Sequence, residues 1–212
     1  MKTRSGENVP LRELLEEACR RARKIIDEKN PDLSEAEKID VAQKIGIGAV
    51  KYADLSQYRM TDYVFSWEKM LSLQGNTAPY LQNAYVRIRS IFRKAGELPV
   101  GMPLWGVKRQ AGEVGNSLVA GFALTNPTEI NLAKRLCQFA EIVPHVLNDF
   151  RPNILANYLF EVANSFHTFY EACPVLKSEE PVRSSRLALC DLTAKVLYRG
   201  LDLLGIKVPE KM

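Results

Sequence analysis

Tyr80 and Arg87 are seven residues apart in the stretch Thr77-Ala78-Pro79-Tyr80-Leu81-Gln82-Asn83-Ala84-Tyr85-Val86-Arg87-Ile88-Arg89, two turns of a helix, so one face can carry both. An aromatic ring beside a guanidinium suits nucleotide recognition, because both planes stack on exposed bases. Arg89, Arg93 and Lys94 add positive charge towards the end of the same stretch. They are candidates for phosphate contacts, which fix position and carry little sequence information. The same pattern also fits an amphipathic core helix with a solvated basic face. Other chemistry has weaker support. The two histidines, His145 and His167, have no acid placed around them that would make a catalytic dyad, and His167 reads as a core-edge residue. Cys19, Cys137, Cys173 and Cys190 contain no C-x-x-C pair, so neither a metal site nor a disulfide framework is expected. Ile45-Gly46-Ile47-Gly48 has neither a preceding strand nor the third glycine of a dinucleotide fingerprint.

The elements that would position these residues are helical. Thr77 can cap the central helix, with Pro79 in its first turn, and Leu81, Ala84, Tyr85, Ile88, Ile91 and Phe92 trace its apolar face. Before it, Leu11 to Ile26 make an amphipathic stripe over about 10–29, ended by Asn30-Pro31-Asp32. Ser34 with Glu37 has the capping-box spacing for a second helix to about Leu55, in which Gly46 and Gly48 imply close packing against a neighbour. Tyr58 to Trp67 is β-prone and aromatic, which predicts a short strand or extended connector, and Ser66 can cap a short helix from Trp67 to Leu73. Residues 96–126 hold six glycines and two prolines without a sustained period and read as an irregular insertion. Asn126-Pro127 starts a further helix that Pro144 should break or bend. Two more are expected over about 153–171 and from Ser184/Ser185 to Gly205. The chain is therefore expected to be all-α.

Bulk numbers agree with that picture. With 212 residues, 46% hydrophobic and 25% charged, the composition is that of a globular protein of one domain or one and a half. A net charge of +4 permits a nucleic-acid partner without demanding one. No signal peptide opens the chain and no apolar run approaches the roughly 20 residues of a bilayer span, so no membrane association and a cytoplasmic location are expected.

The run Asp62-Tyr63-Val64-Phe65, then Met70-Leu71-Ser72-Leu73-Gln74-Gly75-Asn76-Thr77-Ala78-Pro79-Tyr80-Leu81-Gln82, then Arg87-Ile88-Arg89-Ser90, resembles the arginyl-tRNA synthetase family over nearly ungapped sequence. In that family it enters the helical-bundle anticodon-binding domain of the DALR type. Asn83 stands where the family pattern suggests an aromatic. Lys2-Thr3-Arg4-Ser5-Gly6 resembles a degenerate form of the mobile signature loop of class I synthetases, which lies beside the ATP phosphates. The tail Ile206 to Met212 resembles the family's C-terminus, whose methionine packs on the anticodon pocket.

The resemblance implies that residues 1–60 end a catalytic domain, with the loop at 2–6, and that 61–212 form the anticodon-binding domain. It implies tRNA(Arg) as partner and a role in ATP-dependent attachment of arginine to that tRNA. ATP and L-arginine would act only with a nucleotide-binding half preceding residue 1, so this chain alone is expected to be inactive and to bind no cofactor. Lys2 and Arg4 would be its catalytic remnant. Tyr80, Asn83, Arg87 and Met212 would read the anticodon, with its middle cytosine held between Tyr80, Arg87 and Met212. Arg89, Arg93 and Lys94 would contact the tRNA backbone, and the protein is expected to be a monomer. Two other readings stay open: a helical protein-interaction module without tRNA binding, and the matching domain of a sister class I synthetase.

Overall fold

The computed structural model describes residues 10–62, 65–96 and 123–212, and among these every regular element is an α-helix. In chain order they are α1 (Leu11–Lys29), α2 (Glu35–Leu55), α3 (Trp67–Met70), α4 (Ala78–Ala95), α5 (Pro127–Cys137), α6 (Phe139–Asp149), α7 (Pro152–Ala172) and α8 (Val182–Leu203). The signature-like loop with Lys2 and Arg4, and nearly all of the 96–126 insertion, lie outside the described residues.

Local chemistry explains most helix starts. Ser34 accepts from the Glu37 amide while Glu37 Oε2 accepts from the Ser34 amide at 3.0 Å, so two otherwise orphaned N–H groups are satisfied together. Thr77 Oγ1 accepts from the Tyr80 amide at 3.2 Å and donates to Ser72 O at 2.6 Å, which fixes the approach of the chain to α4. Asn126 and Glu129 form a second capping box at α5. Glu129 is wholly buried there, accepting from Thr125 N, Asn126 N and Arg186 Nε at 2.7, 2.9 and 2.6 Å. Burial works against its charge, but those donors outweigh it and hold the carboxyl below its ordinary range.

α1 and α2 pack as a close helical pair on small residues, with Ala18, Ala22 and Ala49 buried at the contact. A Cβ on Gly46 would stand 2.6–2.7 Å from the backbone of Ala18 and Cys19, so the two backbones touch where glycine allows it. The larger core joins α4, α5, α7 and α8 through Leu81, Tyr85, Ile88, Leu132, Leu159, Phe166, Leu189 and Leu197. α4 contacts α2, α7 and α8, so it is the element shared by both parts. Tyr52 of α2 reaches into the larger core, its hydroxyl shared between Asn76 Oδ1 at 2.6 Å and Ala156 O at 2.8 Å.

Four local expectations are corrected. Residues 58–61 close a turn, with the Thr61 amide and hydroxyl both donating to Tyr58 O, and no strand occurs among the described residues there. α3 ends at Met70 instead of Leu73, where the Ser72 amide turns to Lys69 O in a tightened bond and the helical series stops. The helix break falls at Gln138, whose amide bonds to Arg135 O in a tightened turn, whereas Pro144 is held inside α6. α6 buries no residue, so a helix interrupted by one missing N–H is tolerated at the surface. α8 starts two residues earlier than expected, at Val182; Ser185 Oγ instead bonds back to Pro181 O and accepts from Ala123 N.

Gly46→Ala should destabilise the protein by about 1–3 kcal/mol, since the added methyl meets backbone that cannot rotate away. Urea denaturation reads this directly, and a loss below about 0.5 kcal/mol would show that α1 and α2 can slide apart at no expense.

Candidate nucleic-acid interface

Along α4, the polar face looks towards α7 and the C-terminal tail. Tyr80 is half-buried there; its hydroxyl donates to Asn164 Oδ1 at 2.6 Å, and its ring centroid lies 4.9 Å from that of His167 and 5.6 Å from that of Phe160. Two turns on, the Arg87 guanidinium sits over the Tyr170 ring at 5.6 Å from its centroid. The heptad spacing therefore does place Tyr80 and Arg87 on one face, and both pack against α7 through aromatic partners.

Beyond Arg87 opens a groove of about 850 Å³ between α4, the end of α7 and the tail. That is enough room for a nucleoside-sized ligand. Its lining carries five cationic side chains, Arg87, Arg93, Lys94, Lys177 and Lys211, against one carboxylate, Glu171. This imbalance favours an anionic ligand. Asn83 and Met212 line the groove as well, and both also line an adjoining slot of about 250 Å³ whose other walls include Ala22, Ile25, Ile45 and Leu71. Met212 and Asn83 thus stand at the boundary of a basic groove and a largely apolar slot.

Of the residues expected to act together, the structure gathers Asn83, Arg87, Arg93, Lys94 and Met212 around one cavity. Tyr80 is not on that lining; it sits one turn N-terminal to Asn83, engaged with Asn164 and His167. Arg89 is also elsewhere, paired through Nε with Glu210 Oε2 at 3.0 Å and only 13% exposed along its side chain. Sequence reasoning missed Tyr170, which α7 brings over Arg87 and which is 36% exposed. Its only signal was its place four residues after Phe166, on the turn beside the core face. Lys177, which follows α7, was missed because nothing local relates it to α4.

His167 contributes through its protonation state. Burial pushes its imidazole below the ordinary 6.5, the nearby Arg87 charge acts in the same direction, and Glu171 opposes them. The ring is neutral at neutral pH, and its Nε2 is buried without a hydrogen-bond partner. Burial also pushes the Tyr80 phenol up, so it stays a donor to Asn164. Among the described residues no group of three His, Cys, Asp or Glu side chains is arranged to hold a metal ion, and no helix is long and apolar enough to cross a membrane.

The profile of the family "DALR anticodon binding domain" matches residues 81–212, and that of "tRNA synthetases class I (R), catalytic domain" matches residues 1–67. Among similar proteins, the arginine–tRNA ligase of Chromobacterium violaceum is 51% identical over 211 residues, and that of Mannheimia succiniciproducens 52% over the same length. Each alignment takes in 100% of this chain and 34% of the relative, so the chain spans about a third of the length of the curated relatives it matches. The arginyl-tRNA synthetase structure from Thermus thermophilus superposes with a TM-score of 0.81 at 36% identity, over 96% of this chain and 32% of that one. The one from Plasmodium falciparum gives 0.78 at 30% identity, over 96% and 34%.

A histidine whose folded pKa lies below its unfolded value of 6.5 makes the unfolded state bind more protons between the two values. Stability should therefore fall as pH is lowered through and below 6.5. His167→Gln should flatten that part of the profile in urea denaturation. An unchanged slope in the variant would mean that His167 is not the group responsible.

Proposed function

The chain belongs to the DALR anticodon-binding domain family, and from that premise we propose that it is the tRNA-reading C-terminal third of an arginine–tRNA ligase. The match of residues 1–67 to the class I catalytic domain supports assigning residues 1–60 to the end of the catalytic body and 61–212 to the anticodon-binding domain. In the complete enzyme, a cytoplasmic protein acting as a monomer, ATP would activate L-arginine for transfer to tRNA(Arg). Lys2 and Arg4 would offset charge on the ATP phosphates, and the chain by itself would charge no tRNA.

The observation that carries this reading is the groove between α4, α7 and the tail, with five cations facing one carboxylate. An unstacked anticodon base would enter beside Asn83, Arg87 and Met212. Tyr170 holds the Arg87 guanidinium at the groove, and the Met212 thioether offers a polarisable wall. Arg93 and Lys94, exposed at the end of α4, would hold phosphates, and the macrodipole does not help them, because a helix C-terminus is its negative end. Their contribution is side-chain charge alone. Tyr80 would act one step behind the base, fixing His167 and through it the surroundings of Arg87. The middle cytosine shared by arginine anticodons is the base we assign to this groove. A protein-interaction module has less support, because relatives spanning the whole chain carry the ligase name.

Binding to a tRNA with an arginine anticodon, and to the same tRNA with its middle cytosine replaced, tests the assignment. The cognate tRNA should bind more tightly, with an affinity that falls steeply as salt rises. Tyr170→Ala should weaken cognate binding by about 0.5–2 kcal/mol, because Arg87 loses the ring that positions it. Equal binding of both tRNAs would leave the groove as an electrostatic dock and remove it as a reader.

A further inference from the structure

α8 ends at Leu203, and Gly205, with φ of 69°, turns the last residues back over α2 and α4. That left-handed backbone suits glycine, and Lys51 Nζ reaches over it to bond Gly205 O at 2.7 Å. Ile206 and Pro209 are buried. Gln82 Nε2 donates to Lys207 O at 2.7 Å, Arg93 Nη1 donates to Glu210 O at 3.1 Å, and Lys211 lies 3.6 Å from Glu37. The Glu210 side chain accepts from Arg89 Nε at 3.0 Å. Two residues later the chain ends at Met212, which packs against both hydrophobic cores and lines both the groove and the slot.

We propose that Arg89 is a positioning residue and not a phosphate ligand: with Glu210 it forms a latch that holds the tail across α4 and thereby sets Met212 as the wall between the groove and the slot. This rests on the reading of the groove as the anticodon site. The two arginines divide the work by their exposure. Arg89 is 13% exposed along its side chain and turned to Glu210, so a phosphate could reach it only by displacing that carboxylate. Arg93 gives one N–H to the Glu210 backbone and is otherwise exposed on the groove, where it can meet a ligand while still holding the chain. The Met212 side chain is long and flexible. Its position is therefore only as defined as that of Glu210, two residues before it. Arg89 also faces Asp191 of α8, whose carboxyl is buried and paired with Lys195 at 2.7 Å. Reversing the charge at position 89 would place two carboxylates together, so the latch is best opened from the tail side.

The test is Glu210→Gln in the full chain, beside Glu210→Asp and Met212→Ala, with two readouts. One is affinity for tRNA carrying an arginine anticodon and for its middle-base variant. The other is the rate at which carboxypeptidase releases Met212 and Lys211 from the free protein. The latch predicts that Glu210→Gln loosens cognate binding by roughly fivefold, as expected for one partly buried ion pair. Discrimination should move towards that of Met212→Ala, release of Met212 should quicken several-fold, and Glu210→Asp should recover part of both. If Arg89 were instead a phosphate ligand held in check by Glu210, removing the carboxylate would tighten both tRNAs alike; that result, or unchanged release, overturns the proposal. Should the wild-type chain fail to discriminate, the assignment of the groove is lost. The latch is still decided, by release in Glu210→Gln and its recovery in Glu210→Asp.

Discussion

The side-chain amide of Gln82, with no exposed surface, donates one N–H to Lys44 O in α2 and the other to Lys207 O in the tail. Three stretches far apart in the chain are held at one atom of α4. A buried amide left without partners would cost about 1–3 kcal/mol, so neither the tail nor α2 can leave without stranding it. Everything on the groove side of α4 depends on this arrangement. It sets where the tail runs, and the tail supplies Met212, Lys211 and the Glu210 partner of Arg89.

Charge has different consequences in different parts of the molecule. On α1, a pair such as Arg12 with Glu16 lies within one helix and is largely exposed, where water and salt leave it with little net effect. Glu129 with Arg186 is buried and joined by two backbone donors, so it holds α5 against α8 in one geometry. In the groove, five cations line one cavity with a single acidic side chain among them. Unbalanced charge of this kind makes sense as an electrostatic complement to a polyanion.

The aromatic face of α4 shows how a binding surface and a core can share residues. Tyr80 is fixed by Asn164 and by the rings of His167 and Phe160, and Arg87 by the ring of Tyr170. Fixing these side chains beforehand reduces the conformational entropy lost when a ligand arrives. A neutral His167 belongs to the same design. A second cation next to Arg87 would repel it, and burial keeps the imidazole uncharged.

Helix starts were legible in the sequence wherever a cap acts over three or four residues: Ser34 with Glu37, Ser66, Thr77 and Asn126 all cap as their spacing implies. Apolar periodicity likewise marked the core face of α4, and glycine inside a helix marked the Gly46 close approach, because these follow from which side chains one helical turn brings together; in α8, by contrast, Leu192 and Leu203 share the apolar pattern but are exposed. What could not be read was how the polar face of α4 would be divided. Arg89, Arg93 and Lys94 look alike in sequence, yet Glu210, 121 residues from Arg89, takes the first into a latch and leaves the other two on the groove. Nothing local to Tyr80 tells that Asn164, 84 residues away, bonds its hydroxyl, or that His167 and Phe160 pack near its ring. The sequence by itself determined the helices and their buried sides, since hydrogen bonds and periodicity within a helix are local. Only the tertiary structure decided which exposed groups remain available to a ligand, because that depends on which distant segment reaches them first.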